Sequence, residues 1–201
     1  MLLKRPPQRT LLRVPETGTG IFKRLFDSGI QNIIIPKVET GEEVEQIMYW
    51  ASYAPRGNRG FGATAVRAGR FGCHADYLER ETDEICILPQ IESKRGYENL
   101  DAIAKVPGIG GVFLGPIDLA VDMGHGIDIF HPEVAEAMDD MIKRIKALRK
   151  PVGTIAVTPE QANILQTWAQ VSWLSVLILL SWSMLLTTRW TLLKRPLKAK
   201  K

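Results

Sequence analysis

The stretches LPQIE, at residues 88–92, and FLGPIDL, at residues 113–119, decide the fold of this chain. Each opens as an apolar run typical of a buried strand, and each carries a carboxylate close to its end, Glu92 in one and Asp118 in the other. In α/β proteins the loops that follow parallel strands form the functional rim, so we expect the two carboxylates there. Two oxygen ligands from neighbouring strands suit a hard divalent cation.

Strand-like apolar runs alternate with helical patterns along the rest of the chain. The runs predicted as strands are residues 11–14, 32–38, 85–91, 111–114, 151–157 and 173–176. This alternation predicts a parallel sheet with helices outside it. Six strands with carboxylates at the rim favour an α/β fold of the (β/α)8 TIM-barrel type, incomplete, with about six of its eight βα units. A six-stranded open sheet is the alternative.

Two of the predicted helices carry clear local signals. Thr40 and Glu43 have the spacing of a capping box, followed by an apolar helix face. Pro132 suits the first position of another helix, whose acidic residues come early and whose basic residues come late. Further helices are predicted at residues 21–28 and 96–105. The Gly- and Arg-rich residues 55–62 are predicted to form a loop with solvated arginines.

The composition indicates an ordinary globular protein. Six of the 26 basic residues lie in residues 189–201, which leaves 20 basic against 22 acidic residues in the rest of the chain. Because the remaining basic residues are dispersed among acids, no nucleic-acid partner is predicted. The two cysteines, Cys73 and Cys86, have neither disulfide-framework nor zinc-site spacing, and they favour a reducing, cytoplasmic location.

The end of the chain permits two interpretations. Residues 161–188 contain no charge, and residues 171–186 are mostly apolar with four serines and a basic flank. This segment is either a final barrel strand at residues 173–176 or a C-terminal membrane anchor with membrane contact through residues 171–188. The serines and the marginal length favour a disrupted barrel end. The start of the chain lacks the apolar core of a signal peptide.

Five segments in register carry a family resemblance. They are LRVP at 12–15, GIQNIIIP at 29–36, PRGNRG at 55–60, QIE at 90–92 and GPIDLA at 115–120. Together they resemble the HpcH/HpaI aldolases, the metal-dependent pyruvate aldolases of the citrate lyase beta-like superfamily. The resemblance covers residues 11–168 and implies a barrel of the phosphoenolpyruvate/pyruvate type that assembles into homo-oligomers.

The resemblance also implies an activity and a set of site residues. The expected enzyme is a carbon–carbon lyase that cleaves a 4-hydroxy-2-keto acid to pyruvate and an aldehyde through a metal-stabilised enolate. Glu92 and Asp118 would be the ligands of a divalent cation, Mg²⁺, Mn²⁺ or a similar ion, and Arg13 would be the catalytic arginine. The residues expected to bind the keto-acid substrate are Gln90, Gly115, Pro116 and Ile117.

The chain departs from the family pattern at both ends. The two N-terminal βα units, one of which carries the family's acid/base histidine, have no counterpart, and none of the histidines here replaces it. After Val176 the expected Gly-x-Asp turn is absent. We therefore divide the chain into a partial barrel domain, 1–176, and a divergent apolar then basic tail, 177–201. The alternatives are a catalytically inactive homologue that acts as a binding or assembly partner, and a C-terminally membrane-tethered fragment.

Overall fold

The sheet is built from six parallel strands. The computed structural model describes residues 11–156, Gln161 and residues 176–180. The strands in chain order are β1 (Leu11–Arg13), β2 (Asn32–Ile35), β3 (Cys86–Ile91), β4 (Val112–Leu114), β5 (Val152–Ala156) and β6 (Val176–Leu180). Each strand pairs in parallel with the next one along the chain, so the spatial order is the chain order.

That strand order identifies the architecture. A doubly wound open sheet reverses its strand order at a switch point, where the chain returns to the middle of the sheet. Here the order runs from β1 to β6 without a reversal, as in a (β/α)8 barrel. The prediction of an incomplete barrel is therefore confirmed, and the strand order excludes a doubly wound open sheet.

The helices lie between the strands and cover one face of the sheet. They are α1 (Thr19–Asp27), α2 (Gly41–Ala51), α3 (Tyr77–Glu84), α4 (Lys94–Glu98), α5 (Leu100–Lys105), α6 (Pro116–Asp122) and α7 (Pro132–Ala147), with a 3₁₀ turn at Arg70–Gly72. The single helix predicted over 96–105 is in fact two, divided at Asn99. Helix α3 was not predicted, because its sequence YLERETDE has no apolar stripe.

The local signals of α2 and α7 act as predicted. The amide of Glu43 donates to Oγ1 of Thr40 at 3.2 Å, and the Thr40 amide donates to Oε2 of Glu43 at 3.3 Å, which completes the capping box. Helix α7 begins with Pro132 at its first position. Its apolar side chains are buried in the main core between the helices and the sheet: Val134, Met138, Met141 and Ile145, with Leu148 just after the helix partly buried against them.

Side chains alternate between the two faces of the sheet. Ile33 and Ile35 belong to the large core shared with the helices, whereas Ile34 lies in a separate cluster with Leu88 and Phe113. Because successive side chains of a strand point to opposite faces, Gln90 lies on the same face as Leu88. By the same period, Arg13 shares the face of Leu11, which packs against that cluster.

The last strand extends further along the chain than predicted. Strand β6 pairs Val176 with Val152 of β5 and continues to Leu180, four residues past the predicted end, whereas residues 173–175 of the predicted strand lie outside the described residues. Residues 177–180, assigned above to the tail, therefore belong to the sheet. The apolar sequence LILL is as suitable for a buried strand as the segment before it.

The other proposed role of this segment was a membrane anchor. Within the described part of the chain, no helix combines the length and the apolar character needed to cross a membrane. Most of residues 171–188 lie outside that part.

The arginines of the 55–62 loop have different environments. Arg56 is exposed, as predicted, but the prediction is wrong for Arg59, whose side chain is fully buried. Arg59 forms ion pairs with Asp27, at 3.2 Å, and with Glu81, and its guanidinium lies 4.4 Å from the ring centroid of Tyr53. Its partners are 22 and 32 residues away in sequence, so no local pattern could show the burial.

We expect Arg59→Leu to destabilise the fold strongly. It would leave Glu81 and Asp27 without their shared counter-charge, which for buried ion pairs typically costs about 3 kcal/mol or more. Urea unfolding of the full chain measures the free energy of unfolding. The matched control is Arg56→Leu, at an exposed position of the same loop, where we expect little change. Equal effects of the two variants would contradict the interpretation.

Candidate metal and substrate site

The predicted site residues meet at the C-terminal ends of three strands. Arg13 is the last residue of β1, Gln90 lies near the end of β3, and Glu92 follows that strand directly. Asp118 lies in the first turn of α6, which begins just after β4. Because the strands are parallel, their C-terminal ends share one rim, and side chains far apart in sequence converge there.

Arg13 contacts both polar side chains of β3. Its Nε donates to Oε1 of Gln90 at 3.0 Å, and its Nη2 lies 3.4 Å from Oε1 of Glu92. The side chain of Arg13 is 54% exposed, whereas that of Glu92 is 6% exposed. The guanidinium therefore covers the buried carboxylate on one side and faces solvent on the other, where an anionic ligand can reach it.

Glu92 is a buried carboxylate, and the described residues provide hydrogen bonds to only one of its two oxygens. Oε1 accepts a hydrogen bond from the amide of Lys37 at 2.9 Å, whereas Oε2 is buried and has no hydrogen-bond partner among the described residues. Burial raises the pKa of Glu92, and the negative charge of Asp118 raises it further. Arg13 and the Lys37 amide oppose this rise without cancelling it.

Sequence reasoning missed the contribution of Lys37. Its backbone has φ of +51°, in the left-handed region that side chains other than glycine seldom occupy. The amide of the next residue, Val38, donates to the carbonyl of Gln90 at 3.1 Å, which ties this segment to β3. A backbone amide carries no side-chain signature, and the sequence placed Lys37 in a predicted strand over 32–38 that in fact ends at Ile35. Backbone strain of this kind often occurs at functional sites.

Gly115 lets β4 approach the buried carboxylate closely. A Cβ at this position would lie 2.7 Å from Oε2 of Glu92 and 2.8 Å from Nε2 of Gln90, which no side chain tolerates without displacement. The Gly115 amide also donates to the carbonyl of Ile91 at 2.9 Å. Pro116, buried, and Ile117, partly buried, then begin α6.

The donor set fits a hard divalent cation. An unpartnered buried oxygen needs a positive partner, and Glu92 offers one beside the second carboxylate, Asp118. Carboxylate oxygens are the ligands that Mg²⁺ and related ions prefer. A bound cation would also remove the repulsion that raises the pKa of Glu92. Glu92 and Asp118 are thus the residues that could hold a metal ion at this rim.

Comparison with known proteins places the chain in a family of carbon–carbon lyases. The sequence profile of the HpcH/HpaI aldolase/citrate lyase family matches residues 1–173. The chain belongs to that family, as the five sequence segments predicted. A solved HpcH/HpaI aldolase/citrate lyase family protein from Burkholderia cenocepacia has a similar fold, with a TM-score of 0.80 and 29% identity. The match covers 88% of this chain and 68% of that protein.

Curated relatives carry more specific names. A 2-keto-3-deoxy-L-rhamnonate aldolase of Klebsiella pneumoniae is 38% identical over 158 residues, 79% of this chain and 59% of the relative. A hydroxypyruvate/pyruvate aldolase of Deinococcus radiodurans is 41% identical over 157 residues, 78% of this chain and 57% of the relative. The chain therefore spans less than two thirds of the length of these relatives.

We expect Glu92→Gln to stabilise the metal-free protein at neutral pH. The folded pKa of Glu92 lies above its ordinary value of 4.5, so the native state binds the proton more tightly than the unfolded state. The free energy of unfolding then falls as the pH rises through 4.5 towards the folded pKa, and the loss persists at pH 7. Urea unfolding with a chelator present should show Glu92→Gln more stable at pH 7, with the difference narrowing below pH 4.5.

The matched control is Glu42→Gln, in the first turn of α2. Its backbone amide and the Thr40 side chain lower the pKa of Glu42, so here the ionised form favours the native state. We expect no stabilisation at pH 7 from this variant. A Glu92→Gln protein that is less stable than the original chain at pH 7 would contradict the claim that the ionised Glu92 destabilises the metal-free fold.

Proposed function

We propose that this chain is a divalent-metal-dependent aldolase. It would cleave a 4-hydroxy-2-keto acid to pyruvate and an aldehyde, and it would form the same bond in reverse. The observation that carries the proposal is the buried, unpartnered oxygen of Glu92, with the charge of Asp118 near enough to raise the pKa of Glu92 and the half-exposed Arg13 in contact with the other oxygen. The names of the curated relatives, aldolases of keto acids, support this class of substrate.

Glu92 and Asp118 would hold the cation, which we propose to be Mg²⁺ or Mn²⁺. When bound, such an ion acts as a Lewis acid towards the keto oxygen of the substrate. Glu92 is well suited to this role because the Lys37 amide and Arg13 fix Oε1, so the carboxylate is oriented before the ion arrives. Asp118, exposed on the first turn of α6, would complete the pair.

Arg13 would stabilise the negative charge that develops as the carbon–carbon bond breaks. A guanidinium is always charged and presents several N–H groups in a fixed plane, so one edge can hold Gln90 and Glu92 while another faces the substrate oxygen. Gln90, only 5% exposed, would hold the guanidinium in place through the 3.0 Å hydrogen bond. The segment formed by Gly115, Pro116 and Ile117 would contact the substrate carboxylate.

Binding of metal and keto acid to the full chain tests the site. In calorimetry, we expect Mn²⁺ to bind and pyruvate or oxalate to bind only when Mn²⁺ is present. Glu92→Ala and Asp118→Ala should each abolish this binding, because each removes a ligand oxygen and its charge. The matched control is Glu42→Ala, an exposed carboxylate on α2, which should bind as the original chain does.

The outcomes are distinct. Failure of Mn²⁺ and pyruvate to bind together, or binding that survives both alanine substitutions, refutes the site. Release of pyruvate from a 4-hydroxy-2-keto acid, followed with a coupled lactate dehydrogenase assay, tests the reaction itself. Binding without pyruvate release would favour the inactive homologue that acts as an assembly partner.

We expect Arg13→Lys to separate binding from catalysis. A lysine keeps the positive charge but lacks the planar, forked guanidinium that holds Gln90 and Glu92 along one edge while it presents N–H groups to a substrate oxygen along another. Pyruvate release should fall about 10²–10³-fold, the typical cost of losing one donor to a developing oxyanion. Mn²⁺ affinity should change little, since both carboxylates remain. An unchanged kcat would refute the role of Arg13.

We propose a homo-oligomer in the cytoplasm as the working form. Large apolar side chains remain exposed on the described part of the chain, among them Phe61, Phe71 and Ile127, and such surfaces often mark interfaces. Cys73 and Cys86 are free thiols, which supports a reducing compartment.

A further inference from the structure

Two histidines and a glutamate converge where α6 is joined to α7. His125 lies in the connection, His131 is the residue before α7, and Glu133 lies in the first turn of that helix. Each can offer one ligand atom, and the three atoms lie within 4.8 Å of one another. None of the three takes part in the site formed by Arg13, Glu92 and Asp118, and the aldolase reaction proposed above makes no use of them.

The side chains are already held side by side. Nε2 of His125 lies 2.6 Å from Oε2 of Glu133. The rings of His125 and His131 stack with their centroids 3.5 Å apart and their planes 13° from parallel. Nδ1 of His131 accepts a hydrogen bond from the Glu133 amide at 3.4 Å, a long contact whose loss would cost little if the ring nitrogen were used otherwise.

The backbone of the connection keeps these residues together. The amide of His125 donates to the carbonyl of Ala120 at 2.9 Å, and the amide of Asp128 donates to the carbonyl of His125 at 3.2 Å. The His131 amide donates to the carbonyl of Asp128 at 3.3 Å. The loop therefore closes on itself between the two histidines, and little backbone entropy would remain to be lost on binding a ligand.

We propose that His125, His131 and Glu133 form a second metal site, for a borderline transition ion such as Zn²⁺. Two imidazoles and one carboxylate are the donor set that such ions use with a fourth position open to water. With bonds of about 2.0–2.2 Å, the donors of a tetrahedral site lie roughly 3.4 Å apart, so the donor atoms are already near enough, and the two rings must turn out of their stack for their lone pairs to converge on the ion. Glu133, more than half exposed, is free to follow the ion.

The chemistry of this site differs from that of the rim carboxylates. Nitrogen donors select transition ions, whereas an all-oxygen pair such as Glu92 and Asp118 accepts Mg²⁺ or Mn²⁺. The charge of Lys94 also acts on Glu133 and opposes cation binding, so the imidazoles carry most of the affinity. A bound ion would tie the end of α6 to the start of α7. It would thereby fix the loop that follows Asp118.

Calorimetric titration of Zn²⁺ into the full chain, with excess Mg²⁺ to occupy the rim carboxylates, tests the proposal. We expect one Zn²⁺ per chain. His125→Ala and His131→Ala should each weaken Zn²⁺ binding by at least about tenfold, the smallest loss usual when a metal site is altered. Glu133→Gln should weaken it as well. Circular dichroism and urea unfolding establish that each variant is folded before it is titrated.

The third histidine of the chain provides the matched control. His74→Ala removes an imidazole from a distant loop, and Zn²⁺ affinity should stay the same. A double variant, Glu92→Gln with Asp118→Asn, should also retain Zn²⁺ binding, whatever becomes of the aldolase proposal. The second site is overturned if folded His125→Ala and His131→Ala proteins bind Zn²⁺ as tightly as the original chain, or if His74→Ala loses binding to the same extent.

Discussion

The buried carboxylate of Glu92 is the constraint on which the rest of the candidate site depends. An ionised carboxylate can leave water only if hydrogen bonds or positive charges replace its hydration. The Lys37 amide and Arg13 do this for Oε1, and nothing in the described residues does it for Oε2. The pKa of Glu92 is raised because this incomplete replacement of water destabilises the ionised form. A bound cation would correct it, which is why we propose that this site holds one.

The barrel architecture explains why this arrangement can persist. Parallel strands in chain order bring the ends of β1, β3 and β4 to one rim, and the two-residue period of each strand puts Arg13 and Gln90 on the same face. Gly115 then allows β4 to reach the carboxylate without a side chain between them. Apolar packing between the sheet and the helices stabilises the fold enough to offset the cost of an unsatisfied buried charge. Functional sites often lower the stability of a protein in this way.

Much of the fold could be predicted from local sequence, and the exceptions have a common physical cause. The runs around Ile34, Leu88 and Phe113 are apolar and bounded by turn signals, so their strands were identified to within a few residues. The Thr40 capping box is equally local. By contrast, the burial of Arg59 depends on Asp27 and Glu81, and the charged helix α3 is stabilised through one of these long-range ion pairs. Strand β6 lies in a mostly apolar run, 171–186, where strand-like side chains precede and follow Val176, so the sequence permitted more than one placement of the strand.

The residues of the candidate site also differ in whether the sequence alone could reveal them. Glu92 and Asp118 could be proposed from their positions after strands, whereas Arg13 and Gln90 were found only through the family resemblance. The contribution of Lys37 could not be found by either route, because its amide acts through a left-handed backbone that its side chain does not predict. Roles carried by side chains can therefore be proposed from sequence, but roles carried by the backbone require the folded chain.

Donor chemistry gives the described part of the chain two separate places for a cation. The rim offers oxygen atoms on elements that begin or end in the sheet, so its geometry is set by strand register and changes little. The cluster of His125, His131 and Glu133 lies on a connection and a helix start, where side chains can rotate. A hard ion needs only charge and oxygen, but a transition ion needs directed nitrogen lone pairs. The imidazoles therefore favour a transition ion at the cluster, and a large excess of a hard ion such as Mg²⁺ would keep that ion on the rim carboxylates.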